Sequence, residues 1–418
     1  MLVFIGAIIV IGVIYLLLKR HESRMVLIAA GVLMAIIAGK PMAALDAFAK
    51  SMTNAGLITS VCSCMGFAMV MKYTGCDKHL VVAIGKVLKK MGFLLIPGAT
   101  LATFIINIAI PSAAGCSAAV GVIFIPILMS AGIHPAMAAA AVKSGTYGSM
   151  LNPGLVHNGV IAKLANVEIT DVISHHMLAD ITGVIVAATT LTILAIVLKE
   201  NKGYAAEGSN AVAADFKINP LYSLMPLLPV IILLVGATGK VPLLKMGVPQ
   251  AMLIGVLLSL AVTRTDPTKL TKSFFDGMGD AYANIIGIII SVGVFVSGMQ
   301  SLGLVKALID WMLASTGIVK IAATFGPFLL AMISGSGDAA TVAFNEAVTP
   351  HAAQFGLQAI DMGSMASLGG TLGRTMSPIA GATIICAGIA GVDPMAVCKR
   401  NALGITLALL AGMFILLF

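Results

Sequence analysis

The sequence predicts an all-α polytopic membrane protein. It consists of two inverted repeats, each with five membrane-crossing helices, one re-entrant hairpin and a broken helix. Three observations carry this prediction. Of 418 residues, 59% are hydrophobic and only 10% are charged, against roughly 25% charged in soluble domains. The mean hydropathy is +1.06, and apolar runs long enough to cross a bilayer core of ~30 Å recur throughout. The pattern of runs and interruptions occurs twice. The basic side chains then fall unevenly on the two sides that this pattern defines.

In chain order, the first half offers spans at 2–18, 25–39, 55–71 and 177–198, and the second at 220–238, 247–263, 283–299 and 401–418. The first run has no basic residue before it and no small-residue cleavage site after it, so it reads as a retained span rather than a signal peptide. Between the third and fourth spans of each half the pattern is less regular. A lysine-rich amphipathic stretch, Cys76 to Met91, leads into Gly92 to Pro111, then the polar break "PSAAGCS", then Ala118 to Ser130. The same order returns as Leu302 to Ser315, Ile318 to Ile333, "SGSGDAAT", and Val342 to Ala353. Each apolar piece is either a full crossing or one arm of a hairpin whose tip is the break. The hairpin reading gives hairpins at 92–131 and 318–356. A span interrupted at its centre follows each: 135–165, containing "KSGTYGSMLNPG", and 361–390, containing "GGTLGRTMSP".

The two halves align at an offset of about 225. Gly145, Gly148, Pro153, Val167, Glu168 and Val172 fall on Gly370, Gly373, Pro378, Val392, Asp393 and Val397. The first repeat is thus 1–200, the linker 201–217 and the second repeat 218–418. Five crossings per half invert the second copy. With the N-terminus outside, sixteen basic residues (Lys19, Lys89, Lys90, Lys199, Lys269 and Arg400 among them) face the cytoplasm, and seven, including Lys40, Lys163 and Lys240, face outward. That is the positive-inside bias. Six crossings per half would give parallel repeats and a weaker bias. Of the 25 basic residues, Lys143 and Arg374 belong to neither set. Each lies in one of the interrupted spans.

Glycine and proline at that depth free backbone groups that lipid cannot satisfy. Paired breaks at matching places in two halves point to a transporter's binding site, where helix N-termini suit carboxylates and unwound carbonyls suit cations. The candidate substrate residues are Ser112, Gly115, Cys116 and Ser117 at the first tip, and Ser334, Gly335 and Ser336 at the second. Around the breaks they are Thr146, Asn152, His157, Asn158, Arg374, Thr375 and Ser377. Candidates for a coupling cation are Ser112, Asn152, Ser334, Asp338, Thr341 and Ser377. A charge at the bilayer centre costs ~2.5–3.5 kcal/mol even on the insertion scale. Arg374 therefore reads either as a counter-charge for an anion or as half of an ion pair with Asp338, Glu346 or Asp361. Lys143 either joins the site or snorkels to the interface. His157 is either a proton carrier or a structural histidine.

Other classes are less well supported. The net charge of +8 has its origin in loop lysines rather than in nucleic-acid binding. The six cysteines lack zinc or CxxC spacing and read as small packing residues. His175 and His176, near Asp171 and Asp180, read as a loop rather than a metal site. The sequence carries no HExxH motif and no filter-like repeat. A membrane-embedded enzyme and an ion channel are thus the weaker alternatives, and no cofactor is expected beyond a coupling Na⁺ or H⁺.

The first tip with "FIPI", followed by "GIHPAMAAAAVKSGTYGSMLNPGLVHNGVIAKLANV", resembles the anaerobic C4-dicarboxylate carrier family of the DcuC type. The resemblance spans nearly the whole chain and is strongest around 105–175 and 330–398. It implies an elevator-type carrier in the bacterial cytoplasmic membrane, a homodimer with a scaffold and a transport domain per protomer. Its substrates would be fumarate, succinate and malate, with another small organic anion as the alternative. In related divalent-anion sodium symporters each tip carries a Ser-Asn-Thr signature. Here the tips read Ser112-Ala113-Ala114 and Ser334-Gly335-Ser336. The asparagine is absent from both, and Asp338 is the residue that could replace part of the ligand set.

Overall fold

The computed structural model describes residues 2–19, 21–53, 55–88, 94–204, 216–237, 241–314 and 318–418, and all regular secondary structure among them is helical. Arg20, Lys89, Lys90 and Lys240 of the charge count lie outside the described residues. So do Met91, Gly92 and Ser315 at the edges of predicted segments, and most of the 201–217 linker.

The first half runs through α1 (Leu2–Leu18), α2 (Ser23–Ile37), α3 (Pro41–Ser51), α4 (Ala55–Thr74) and the amphipathic α5 (Cys76–Leu88). A hairpin follows, α6 (Leu95–Ala109) and α7 (Ala113–Ser130). The broken helix is α8 (Pro135–Ser144), a 3-10 turn (Gly148–Leu151) and α9 (Val156–Ala165), and α10 (Ile169–Val197) closes the half. The second half repeats this order. It begins with α11 (Pro220–Leu224) and α12 (Leu228–Ala237), then α13 (Val248–Thr263), α14 (Pro267–Ala281), a π-helical segment (Tyr282–Ile286), α15 (Gly287–Ser301) and α16 (Leu304–Ala314). The second hairpin is α17 (Ile318–Ser334) with α18 (Gly337–Ala347). The second broken helix is α19 (Ala359–Met376) with α20 (Gly381–Ala390), and α21 (Pro394–Leu417) ends the chain. Among the described residues, five helical segments, 113–130, 169–197, 267–301, 359–390 and 394–417, are long and apolar enough to cross a membrane.

Several boundaries differ from the hydropathy reading because caps, not apolar runs, set helix starts. The span expected at 177–198 begins at Ile169, where Glu168 and Asp171 form a capping box. His175 and His176 therefore lie on a helix rather than in a loop. That helix, 29 residues, is about 43 Å long. The outgoing hairpin arms begin at Ala113 and Gly337 because Ser112 and Ser336 cap them, accepting from the amides of Gly115 and Ala339. Such serines satisfy N–H groups that no turn of helix can reach.

The duplication is visible in the packing. A Cβ on Gly148 would overlap the carbonyl of Phe104, and one on Gly373 would overlap that of Phe328. Each glycine thus lets a broken helix lie against the incoming arm of its own hairpin. The matching helices α10 and α21 pack side by side and antiparallel. A Cβ on Gly183 would lie 3.6 Å from Ala408, and one on Gly404 would lie 3.2 Å from the Ala187 carbonyl. Arg400, near the start of α21, holds Glu200, just past the end of α10, through Nε at 2.7 Å and through Nη2.

Candidate functional site

Both hairpin tips and both helix breaks meet at one cavity of about 310 Å³. Its wall includes Ser112, Ala113 and Ala114, then Gly154, Leu155 and Val156, then Asp338 and Arg374, then Ala380, Gly381 and Ala382. Apart from Arg374, which lies in the last turn of α19, these are the first turns of α7, α9, α18 and α20. Four helix N-termini, whose leading N–H groups have no intrahelical acceptor, therefore converge on one space. Each carries the positive end of a helix dipole. A second cavity, about 450 Å³, opens beside Lys163, Asn166 and Glu168 and touches neither tip nor break.

Arg374 is partly open to this space. Its Nη2 donates to the Thr146 carbonyl at 3.0 Å, and its Nε is buried without a partner. Among the described residues no carboxylate lies within 4 Å of it. Asp361 pairs with His175 at 2.8 Å, and Asp338 faces His157 Nε2 at 3.1 Å. Arg374 thus forms no direct ion pair with Asp338, Glu346 or Asp361 in this conformation, although Asp338 lines the same cavity. Lys143 does not snorkel: it has no exposed surface, and its Nζ points to the Arg374 carbonyl at 3.5 Å.

The backbone of the first break is held by asparagines. Asn152 donates to the Ile108 carbonyl at 2.6 Å and accepts from the Gly154 amide at 2.7 Å. Asn158 donates to the carbonyls of Met150 and Asn152 at 2.8 and 3.0 Å. In the second half Thr383 Oγ1 donates to the Ser377 carbonyl at 2.7 Å, the counterpart of the Asn158 bond to Asn152. These ties satisfy groups that would otherwise stand open in an apolar surrounding.

The remaining predicted residues separate into those facing the cavity and those turned away. Ser112, Asp338 and Arg374 line it. Thr146, Ser334 and Thr375 turn their hydroxyls onto their own helices, onto the carbonyls of Lys143, Leu330 and Thr371. Cys116 is buried, with Sγ 4.0 Å from the Thr103 carbonyl. Ser117, Thr341 and Ser377 have buried hydroxyls without partners. Gly335 has φ +76°, a conformation that costs a side chain ~1–2 kcal/mol, and it lets the second tip turn.

Sequence reading missed four contributors. Asn107 ties the first hairpin tip to the first break, donating to the Ile110 carbonyl at 2.8 Å and accepting from the Ser149 amide at 2.8 Å. An asparagine inside "FIINIAIPS" was a visible signal. Asp280, at the end of α14, and Asn284, in the π-helical segment, are hydrogen-bonded to each other at 2.7 Å and line the cavity. Arg24 of α2 reaches the same segment, donating to the Ala283 carbonyl at 2.8 Å. A π segment leaves no mark in hydropathy, though such segments recur at functional sites.

The near-symmetric backbone carries asymmetric chemistry. At the offset of 224 that relates the capping serines Ser112 and Ser336, Asp338 corresponds to Ala114, and at 225 His157 corresponds to Ala382 and Arg374 to Ser149. A Cβ on Gly381 would meet Ala114 at 3.8 Å. One wall of the cavity is thus charged and the opposite wall is methyl-lined.

The family profile described as DcuC, C4-dicarboxylate anaerobic carrier, matches residues 25–418. An uncharacterised transporter of Haemophilus influenzae is 45% identical over 272 residues, covering 62% of this chain and 98% of its own. The anaerobic C4-dicarboxylate transporter DcuC of Escherichia coli (strain K12) is 23% identical over 441 residues, covering 97% of this chain and 94% of its own. The crystal structure of the Alcanivorax borkumensis YdaH transporter, described as revealing an unusual topology, shares the fold. Its TM-score is 0.59 at 16% identity, over 89% of this chain and 87% of that one.

Proposed function

The chain belongs to the C4-dicarboxylate anaerobic carrier family, DcuC, a family of membrane transporters and not of enzymes, and from that premise we propose a secondary active carrier of C4-dicarboxylates such as fumarate, succinate and malate. The observation that carries the proposal is the meeting of four helix N-termini and one arginine without a direct carboxylate partner at a cavity of about 310 Å³. That volume lies at the small end of ligand pockets, ~300–1,000 Å³, as a four-carbon substrate needs. Arg374 would take one carboxylate through its free guanidinium edge. The N-termini of α7, α9 and α20 would take the other. Asp338 keeps a carboxylate beside the anion, which fits a substrate that enters with a cation.

Inverted repeats are supported by the antiparallel packing of α10 against α21, equivalent helices of the two halves. Re-entrant hairpins are supported by the placement of Ser112 and Asp338 at the same cavity as the breaks. Rigid-body movement of hairpins and broken helices against the remaining helices would expose the cavity to each side in turn. The protein would act as a homodimer in the bacterial cytoplasmic membrane, its N-terminus outside. Purified protein in liposomes should exchange labelled succinate for internal fumarate, with malate competing. If none of the three is transported, and none raises the protein's melting temperature, the C4 assignment is wrong.

A further inference from the structure

Behind the first break lie two titratable side chains that take no part in the cavity. His176 and Asp180 stand one turn apart on α10, and neither has exposed surface. His176 Nδ1 is 2.6 Å from Asp180 Oδ2, and His176 Nε2 is 3.1 Å from Asn158 Oδ1.

The proton content of this row of groups follows from its far end. Asn158 Nδ2 faces two carbonyls, Met150 and Asn152, which can only accept, so Oδ1 must be an acceptor toward His176. His176 Nε2 therefore carries a hydrogen. A second hydrogen must lie between Nδ1 and Asp180 Oδ2. The pair is either imidazolium with carboxylate or imidazole with carboxylic acid. In both forms it holds one proton more than a neutral histidine beside an ionised aspartate.

Loss of that proton leaves two unfavourable arrangements. A neutral ring that keeps its Nε2 hydrogen sets the Nδ1 lone pair against a carboxylate oxygen. The other tautomer donates to Asp180 but sets a bare Nε2 against Asn158 Oδ1. Only a turn of the Asn158 amide relieves that clash. The turn gives up the hydrogen bonds to Met150 and Asn152, which are the carbonyls of the first break.

Few other groups compete for the role. Tyr147, buried with an unpartnered hydroxyl, lies against the same helix, 3.2 Å from where a Cβ on Gly183 would sit. On the other packed elements, His157 engages Asp338, Asp361 engages His175, Lys143 points to the Arg374 carbonyl and Arg400 holds Glu200. Among the described residues no lysine or arginine lies within 4 Å of Asp180. The second half has no equivalent: at the repeat offset Asn158, His176 and Asp180 fall on Thr383, Asn401 and Ile405. Neither Asn401 nor Ile405 can titrate.

We infer that His176 and Asp180 form a buried proton-binding site whose occupancy sets the geometry of the first break, and so couples a proton to the movement of substrate. The inference rests on the transport reading above. In the transport cycle the proton leaves the pair for water on the side to which the broken helix opens, and Asn158 turns as it does.

The test uses the full chain in liposomes with labelled succinate, comparing exchange at equal pH with accumulation under an imposed pH gradient. Asp180→Asn supplies a fixed N–H to His176 Nδ1 and so imitates the protonated pair. It should keep exchange within about twofold while pH-driven accumulation falls at least ~10-fold. Wild-type accumulation that ignores the pH gradient overturns the inference without any variant. So does pH-driven accumulation that persists at the wild-type level in Asp180→Asn. A wild-type protein that exchanges no succinate overturns the transport reading, and the coupling role with it.

Discussion

Arg374 of the second break donates to the carbonyl of Thr146 in the first, 228 residues away, at 3.0 Å. One arginine is thereby anchored on the unwound backbone of the other half, with the rest of its guanidinium left for the cavity. Arg374→Ala should abolish succinate transport while the protein still folds. Arg374→Lys should retain folding and lose most of its affinity, because a single ammonium cannot serve Thr146 and a carboxylate together. Losing a charge-assisted bond of ~1.5–3 kcal/mol corresponds to roughly 10–150-fold weaker binding. Calorimetric titration with succinate measures it. Wild-type affinity in Arg374→Ala would remove the arginine from the site.

Gly148 and Gly373 form the same joint in the two halves, each against the carbonyl of a phenylalanine on its hairpin, Phe104 or Phe328. Gly148→Ala and Gly373→Ala should each destabilise by roughly 1–3 kcal/mol, the usual cost of overpacking. Thermal unfolding of the two single variants should show similar losses. A loss in only one would mean that the joints are not equivalent.

His134 caps α8 with Nδ1, which accepts from the Ala136 amide at 3.1 Å and so must be unprotonated. Burial holds its pKa below the ordinary histidine range, with Arg400 adding to this and Glu200 opposing it. A depressed pKa contributes stability that is present above the unfolded value, about 6.5, and is lost as pH falls through the lower folded value. The melting temperature should therefore decline as pH drops below about 6.5. His134→Asn keeps a capping side chain without the titration, and its profile should be flatter. Parallel profiles would clear His134 of the effect.

Inverted repeats predict opposite sides for Lys50 and Lys269. The six native cysteines are buried, so an impermeant thiol reagent has little else to report on. It should label Lys50→Cys from outside intact cells and Lys269→Cys only after permeabilisation. Labelling of both from outside would favour parallel repeats.

Sequence alone determined the membrane class, the duplication, the paired breaks, the isolation of Arg374 and Lys143, and the family. All of these are local properties. Hydropathy, Gly/Pro interruptions and loop charge act within a few residues of chain. Tertiary structure decided which groups meet: Arg374 with Thr146, Asp338 with His157 across 181 residues, and His176 with Asn158. It also placed Asp280 and Asn284 at the cavity through a π segment, and it moved helix starts from apolar onset to capping side chains. Such contacts depend on the crossing and register of whole helices, which shape complementarity between their surfaces fixes. Two breaks of almost the same sequence pattern thus end with different partners, one half contributing the asparagine ties and the buried histidines, the other the arginine and the aspartate.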